Sequence, residues 1–173
     1  MERNTTINVV VIYFGGNMYK QIIIARKDLN MSYGKLSGQC CHASMAFLTN
    51  MIRQKSKPCE WTGIPTYKQD ADIYCCYLRL DKDLYEQWID DIFTKVVLAA
   101  KNKNHLLKAK TMAEEMGMKE NVDFFCIYDC CKTELESEFV DENGVGRTLT
   151  CIGFRPMSDK VIDKIGKKYQ LYK

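Results

Sequence analysis

The sequence predicts an α/β fold, a single domain with a mixed β-sheet and helices packed on both faces, and three observations carry that expectation. Ile22, Ile23, Ile24 and Ala25 form a continuous apolar run, the pattern of a strand buried on both sides. Two further apolar runs, at residues 95–100 and 122–128, flank an amphipathic stretch at 104–116. That order of strand, helix and strand argues for a crossover onto a partly parallel sheet. The length of 173 residues and an apolar content of 46% suit one domain with a sizeable core.

Along the chain, residues 7–14 are strand-like and would add an edge strand. Gly15-Gly16-Asn17-Met18 can also be encoded by a ribosome-binding sequence just ahead of a start codon, which makes Met18 an alternative native start to Met1. After the Ile22 run, charge intervenes at Arg26-Lys27-Asp28. Asn30 and Ser32 are both suitable N-caps for the helix that follows, and Gly34 allows close backbone packing at its start. Residues 54–70 hold Pro58, Pro65 and mixed charge and read as a loop. Residues 73–80 are β-prone, and 82–93 carry Leu84, Trp88, Ile89 and Ile92 at helical spacing. In 104–116 the apolar positions are Leu106, Leu107, Ala109, Ala113 and Met116, with Gly117 suited to the C′ position. Asp141 to Gly144 reads as the turn of a hairpin. Residues 148–153 form a strand and 159–165 a short helix with Ser158 as cap.

Composition excludes several classes. No apolar stretch approaches the roughly 20 residues that span a bilayer, and no secretory signal pattern is evident, so the expected location is cytoplasmic. A net charge of +3 and a pI near 8.3 are compatible with a nucleic-acid partner without requiring one. The nine cysteines include three adjacent pairs and no CxxC spacing, which argues for thiols rather than disulfides or a zinc site. Cys40 or Cys41 with His42 makes a poor thiol and base pair, because adjacent helical positions point about 100° apart.

The segment from Met18 to Ser44 is the most informative. On the helix after Ser32, Lys35, Gln39 and His42 fall at i, i+4 and i+7, so they share one face. Spacing alone would equally suit a solvated helix face. However, GKxxxQxxHA following a buried strand and RKDL resembles the type-two peptidyl-tRNA hydrolases. Two later blocks agree. VDFFCIYDCCKTELE at 122–136 is similar to that family's strand ending in aspartate and then A-G-x-T-Q-L, with Asp129, Thr133 and Leu135 in register. TLTCIGFRP at 148–156 is similar to its T-x-T-x-x-G-x-x-P strand, followed by the closing helix and tail. The resemblance covers residues 18–53 and 84–173. It makes 1–17 an N-terminal extension and 18–173 the domain, with insertions near 54–83 and 137–147. In place of the family's alanine, glycine and glutamine stand Cys130, Cys131 and Glu134. These changes would narrow the cleft and repel nearby phosphate.

The resemblance implies hydrolysis of the ester joining a peptidyl group to the terminal ribose of tRNA. The alternative is a hydrolase-like module that binds RNA or a protein without turnover. It implies Lys35, Asp129, Gln39, Thr133 and Thr150 as catalytic candidates, with peptidyl-tRNA as partner. An oriented water and a stabilised oxyanion suffice for an ester. A lysine beside Asp129 would lower its pKa, making it an orienter of water rather than a strong base. His42 is expected to be a packed, supporting histidine and His105 solvent-facing. No motif requires a metal or cofactor, and members of the family often form homodimers. Lysines cluster at 95, 101, 103, 108 and 110 and again at 160, 164, 167 and 168. Of these Lys103, Lys108, Lys164 and Lys167 are candidates for binding the substrate's phosphates. Tyr19, Tyr33 and Tyr67 are candidates for stacking on the terminal adenine.

Overall fold

A computed structural model describes residues 18–55, 57–58, 74–75 and 78–173. The strand-like run at 7–14, the choice between Met1 and Met18, most of the first insertion and Tyr67 lie outside the described residues. β1 (Tyr19–Arg26) is the predicted buried strand, and its side chains from Gln21 to Arg26 are all buried. α1 (Tyr33–Lys55) follows, then a short pair, β2 (Lys57–Pro58) and β3 (Tyr74–Cys75). α2 (Lys82–Leu84) continues as a π-helical turn over Tyr85–Ile89. Leu84 and Trp88 are buried there as the periodicity predicts, but the helix stops before Ile92, which is 74% exposed. β4 (Lys95–Ala100), α3 (Lys103–Glu115) and β5 (Phe124–Asp129) form the predicted strand, helix and strand. The chain closes with β6 (Phe139–Val140), β7 (Gly146–Phe154), β8 (Met157–Ser158), α4 (Asp159–Gly166) and β9 (Gln170–Leu171).

The main sheet has seven strands in the order β5-β7-β1-β4-β9, with β6 added to β7 and β8 to β1. β1 and β4 run parallel, whereas β7 is antiparallel to both β1 and β5. The carboxyl ends of β1, β4 and β5 therefore meet at one rim. Helices cover both faces, as the two-sided burial of β1 demands. Ile22 and Ile24 pack with Leu106, Ala109, Ile162 and Ile165 of α3 and α4, while Ile23 and Ala25 face Ala43 of α1.

Local chemistry explains the helix ends. Ser32, not Asn30, caps α1: its hydroxyl accepts the Lys35 N–H at 3.2 Å, while Asn30 sits at a left-handed φ of 45° in the preceding turn. Asn102 caps α3 by accepting from the His105 N–H at 2.9 Å, and Gly117 ends it at φ 81°. Ser158 occupies the N-cap position of α4 but its side chain makes no capping bond.

The predicted hairpin forms between β6 and β7, turning at Gly144 with φ 75°. It takes up the edge of β7 where β5 leaves off, and it carries Glu138 to the buried Arg26. The Arg26 guanidinium donates to Glu138 at 2.6 Å, to both oxygens of Asp28 and to the Leu149 carbonyl. Arg26 was expected to end the strand by its charge; it stays inside because every face of its fork has an acceptor.

Candidate active site

At the rim, the end of β5 faces the first two turns of α1. The Asp129 carboxylate is buried, 6% exposed, and receives three donors. Lys35 Nζ lies 2.8 Å from Oδ2, Gln39 Nε2 donates to the same oxygen at 2.8 Å, and the Cys131 N–H donates to Oδ1 at 2.8 Å. Lys35 Nζ also donates to the Thr133 hydroxyl at 3.0 Å. Gln39 is fixed at its other end, since Oε1 accepts from the Thr150 hydroxyl at 2.7 Å. Flipping the amide would set its carbonyl against the Asp129 carboxylate, acceptor against acceptor, so the Asp129 contact fixes the orientation and Thr150 serves the carbonyl end. The five catalytic candidates thus form one connected chain, from Thr150 through Gln39, Asp129 and Lys35 to Thr133.

Two backbone irregularities build this chain. Opposite Ile127 and Tyr128, β7 carries an extra residue: Ile127 pairs with Cys151 and Tyr128 with Leu149, leaving Thr150 between them. The bulge turns Thr150 to the same face as Cys151, toward α1, instead of the opposite face that strand alternation would give. Cys131 adopts φ 51° after the strand, which folds its N–H back onto Asp129. A cysteine holds this left-handed conformation at the cost of backbone strain. Its thiol lies 3.4 Å from the buried Thr148 hydroxyl, which also accepts the Glu138 N–H.

Burial by itself pushes the Asp129 carboxyl upward. The bonds from Lys35, the Cys131 N–H and Gln39 outweigh it and hold the group below the ordinary aspartate value. Glu134, expected to repel phosphate, is engaged at the start of α1. It accepts from both the hydroxyl and the N–H of Ser32, and these bonds keep its carboxyl low.

Other expected residues are placed differently. His42 is exposed and lines a groove between α1 and β5 with Ala46, Asn50 and Ile127; no bond joins it to Gln39 or Asp129, so it is not a packed histidine. A residue at i+7 falls about 20° short of two full turns from i, and His42 lies beside β5, at the edge of the sheet. His105, expected in solvent, is half-buried, stacked on Tyr169 at 4.6 Å and accepting the Lys101 N–H at its Nδ1. Lys103 is taken up by Glu138 at 2.9 Å. Lys108 is exposed on α3, and Lys164 and Lys167 flank Asp159 and Asp163 on α4. Tyr19 packs beside Phe47 and Trp88, whereas Tyr33 is 91% exposed. Of the cysteines, Cys151 is buried, Cys41 is exposed, and Cys40, Cys126, Cys130 and Cys131 are intermediate. Burial pushes the Cys40 thiol up to about 11 and that of Cys126 up to about 12, so neither is a thiolate near neutrality.

Fold and site together define a single α/β domain whose polar groups gather at the carboxyl rim of a mixed sheet. The family model described as peptidyl-tRNA hydrolase PTH2 matches residues 19–172, and the chain belongs to that family. Among its relatives, the peptidyl-tRNA hydrolase of Methanopyrus kandleri is 32% identical, over 86% of this chain and 93% of its own. Those of Thermoplasma acidophilum and Sulfolobus acidocaldarius are 26% and 27% identical. They cover 88% and 84% of this chain and 97% and 93% of their own lengths.

Proposed function

We propose that this chain hydrolyses the ester between a peptidyl or N-acylaminoacyl group and tRNA, acting in the cytoplasm to recycle tRNA. The observation that carries the reading is the occupancy of Asp129. A carboxylate has about four lone-pair sites; Lys35, Gln39 and the Cys131 N–H fill three, which leaves one on Oδ1 for a water. With its pKa held low, Asp129 orients that water toward the ester carbonyl instead of deprotonating it outright.

Lys35 is the cation nearest the carboxylate and supplies charge to the oxyanion that develops as water adds. The Thr133 hydroxyl, bonded to Lys35 Nζ, fixes the ammonium and can donate to the same oxygen. Gln39, held by Thr150, keeps the carboxylate from rotating away. On collapse of the tetrahedral species the bond from the carbonyl carbon to the ribose oxygen breaks, that oxygen leaves with a proton that came from the attacking water, and the peptide is released as its acid with the water's oxygen. Among the described residues no helix is long and apolar enough to cross a membrane.

The test is release of peptide from N-acylaminoacyl-tRNA by the purified protein. Lys35→Ala and Asp129→Ala, shown to be folded by circular dichroism, should each lose at least about 100-fold in kcat. Wild-type turnover retained in both variants would remove the assignment.

A further inference from the structure

Beside the catalytic rim, where β1 and β4 end, lies a cavity of about 480 Å³ lined by Lys27, Lys101, His105, Lys168 and Lys173, and among the described residues no acidic side chain lines it. We propose that this basin is a phosphodiester subsite that holds the backbone of the tRNA acceptor end while its terminal ester reaches Asp129 and Lys35. This rests on the hydrolase reading and adds to it the place where the nucleic acid binds.

Four observations support the assignment. The lysines are exposed and, among the described residues, none of the four has a carboxylate within 4.0 Å. Lys20, Lys35, Lys103, Lys110, Lys167 and Arg26, in contrast, each pair with at least one. Secondly, the basin draws one lysine from each of the two clusters in the sequence, Lys101 after β4 and Lys168 after α4. Lys27 is held beside Lys101 because its N–H donates to the Ala100 carbonyl at 2.8 Å. Thirdly, the Lys101 N–H occupies His105 Nδ1, so the neutral ring keeps its proton on Nε2 as a donor for an anion. Burial and the charges of Lys101 and Lys108 hold His105 below its ordinary pKa, as a positive field requires.

Finally, a chain of contacts through the interior links the wall of the basin to the site. Lys103 of α3 meets Glu138, which meets Arg26 next to Lys27. The Glu138 N–H reaches Thr148, which touches Cys131, whose N–H binds Asp129. The carboxyl ends of parallel strands are also where α/β sheets commonly take ligands.

The experiment measures binding of uncharged tRNA by fluorescence anisotropy over a range of salt, and kinetics on two esters, peptidyl-tRNA and N-acylaminoacyl-adenosine. Lys101→Gln/Lys168→Gln and Lys27→Gln/Lys173→Gln are compared with Lys82→Gln/Lys160→Gln. This last pair removes the same charge outside the basin, Lys82 at the start of α2 and Lys160 beside Asp159, whose N–H meets the Met18 carbonyl. Each basin pair should weaken tRNA binding by about tenfold and make the salt dependence shallower by about 2 in log–log slope. KM for peptidyl-tRNA should rise with kcat preserved, and the adenosine ester should be cleaved as by wild type. Unchanged binding in the basin pairs, or equal weakening in the control pair, would overturn the subsite while leaving the hydrolase reading intact. If wild type cleaves neither ester but tRNA binding still depends on the basin, the subsite stands and the hydrolase reading fails.

Discussion

Gly153 lies directly against the backbone of Ala43: a Cβ at Gly153 would stand 2.4 Å from the Ala43 carbonyl oxygen and 2.9 Å from its Cβ. The contact sets how closely α1 sits on β7, and therefore whether Gln39, one turn earlier on α1, reaches Thr150 and Asp129. Because the obstacle is backbone, a side chain cannot swing aside. Gly153→Ala should cost about 1–3 kcal/mol, as overpacking does, and lower kcat through the displaced helix. Thermal unfolding together with the peptide-release assay checks both; an unchanged Tm would show that α1 has slack.

The pH dependence follows from Asp129. Its value in the folded protein lies below that of an unfolded aspartate, near 3.9. The stability it contributes is thus present above the unfolded value and is lost as pH falls through the folded one. Catalysis should follow the same carboxylate: kcat stays level from about pH 5 to neutrality and falls only below about pH 4. A pH–rate profile with an acid limb near 7 would mean that Asp129 serves as a raised-pKa base and that the positioning account is wrong.

Much of this was legible because local patterns agree with the fold. The Ile22 run, the amphipathic stretch of α3 and the turn at Gly144 each use a rule that tertiary context did not override. Lys35 and Gln39 were readable from i, i+4 spacing together with the resemblance, but His42 was not separable from them, because spacing says nothing of where the sheet stops beneath a helix. Thr150 faces α1 only through a bulge, and no periodicity in β7 announces an extra residue. Ile92 fits the helical repeat yet falls beyond the π-helical turn. The basin joins residues from four separate segments, so proximity in sequence pointed to Lys103 and Lys167, which the structure gives to Glu138 and Asp163.

Cys131 offers a test of backbone strain. A non-glycine residue in the left-handed region costs about 1–2 kcal/mol, and glycine returns about 0.5–1 through the freedom of the unfolded chain. Cys131→Gly should therefore leave stability within about 1 kcal/mol and preserve the N–H contact to Asp129. A β-branched residue tolerates φ 51° poorly, so Cys131→Val should be the less stable by about 2 kcal/mol or more. Urea denaturation of the three proteins decides it; equal midpoints for the glycine and valine variants would show that the turn relaxes.

Thr133 and Thr150 should fail differently when each hydroxyl is removed. Thr133 is exposed and bonds to Lys35 Nζ, so Thr133→Val should lower kcat with little change in Tm. Thr150 is buried and acts through Gln39, so it is a positioning residue. Thr150→Val leaves the buried Gln39 carbonyl without its donor, at about 1–3 kcal/mol, and frees the amide to turn. Both Tm and kcat should fall there, by roughly tenfold in rate, with KM unchanged. Thr150→Ser restores the hydroxyl on the bulge and should recover kcat even where the lost methyl lowers Tm. Failure of serine to rescue the rate would mean that Thr150 matters for packing against α1 and not for the orientation of Gln39.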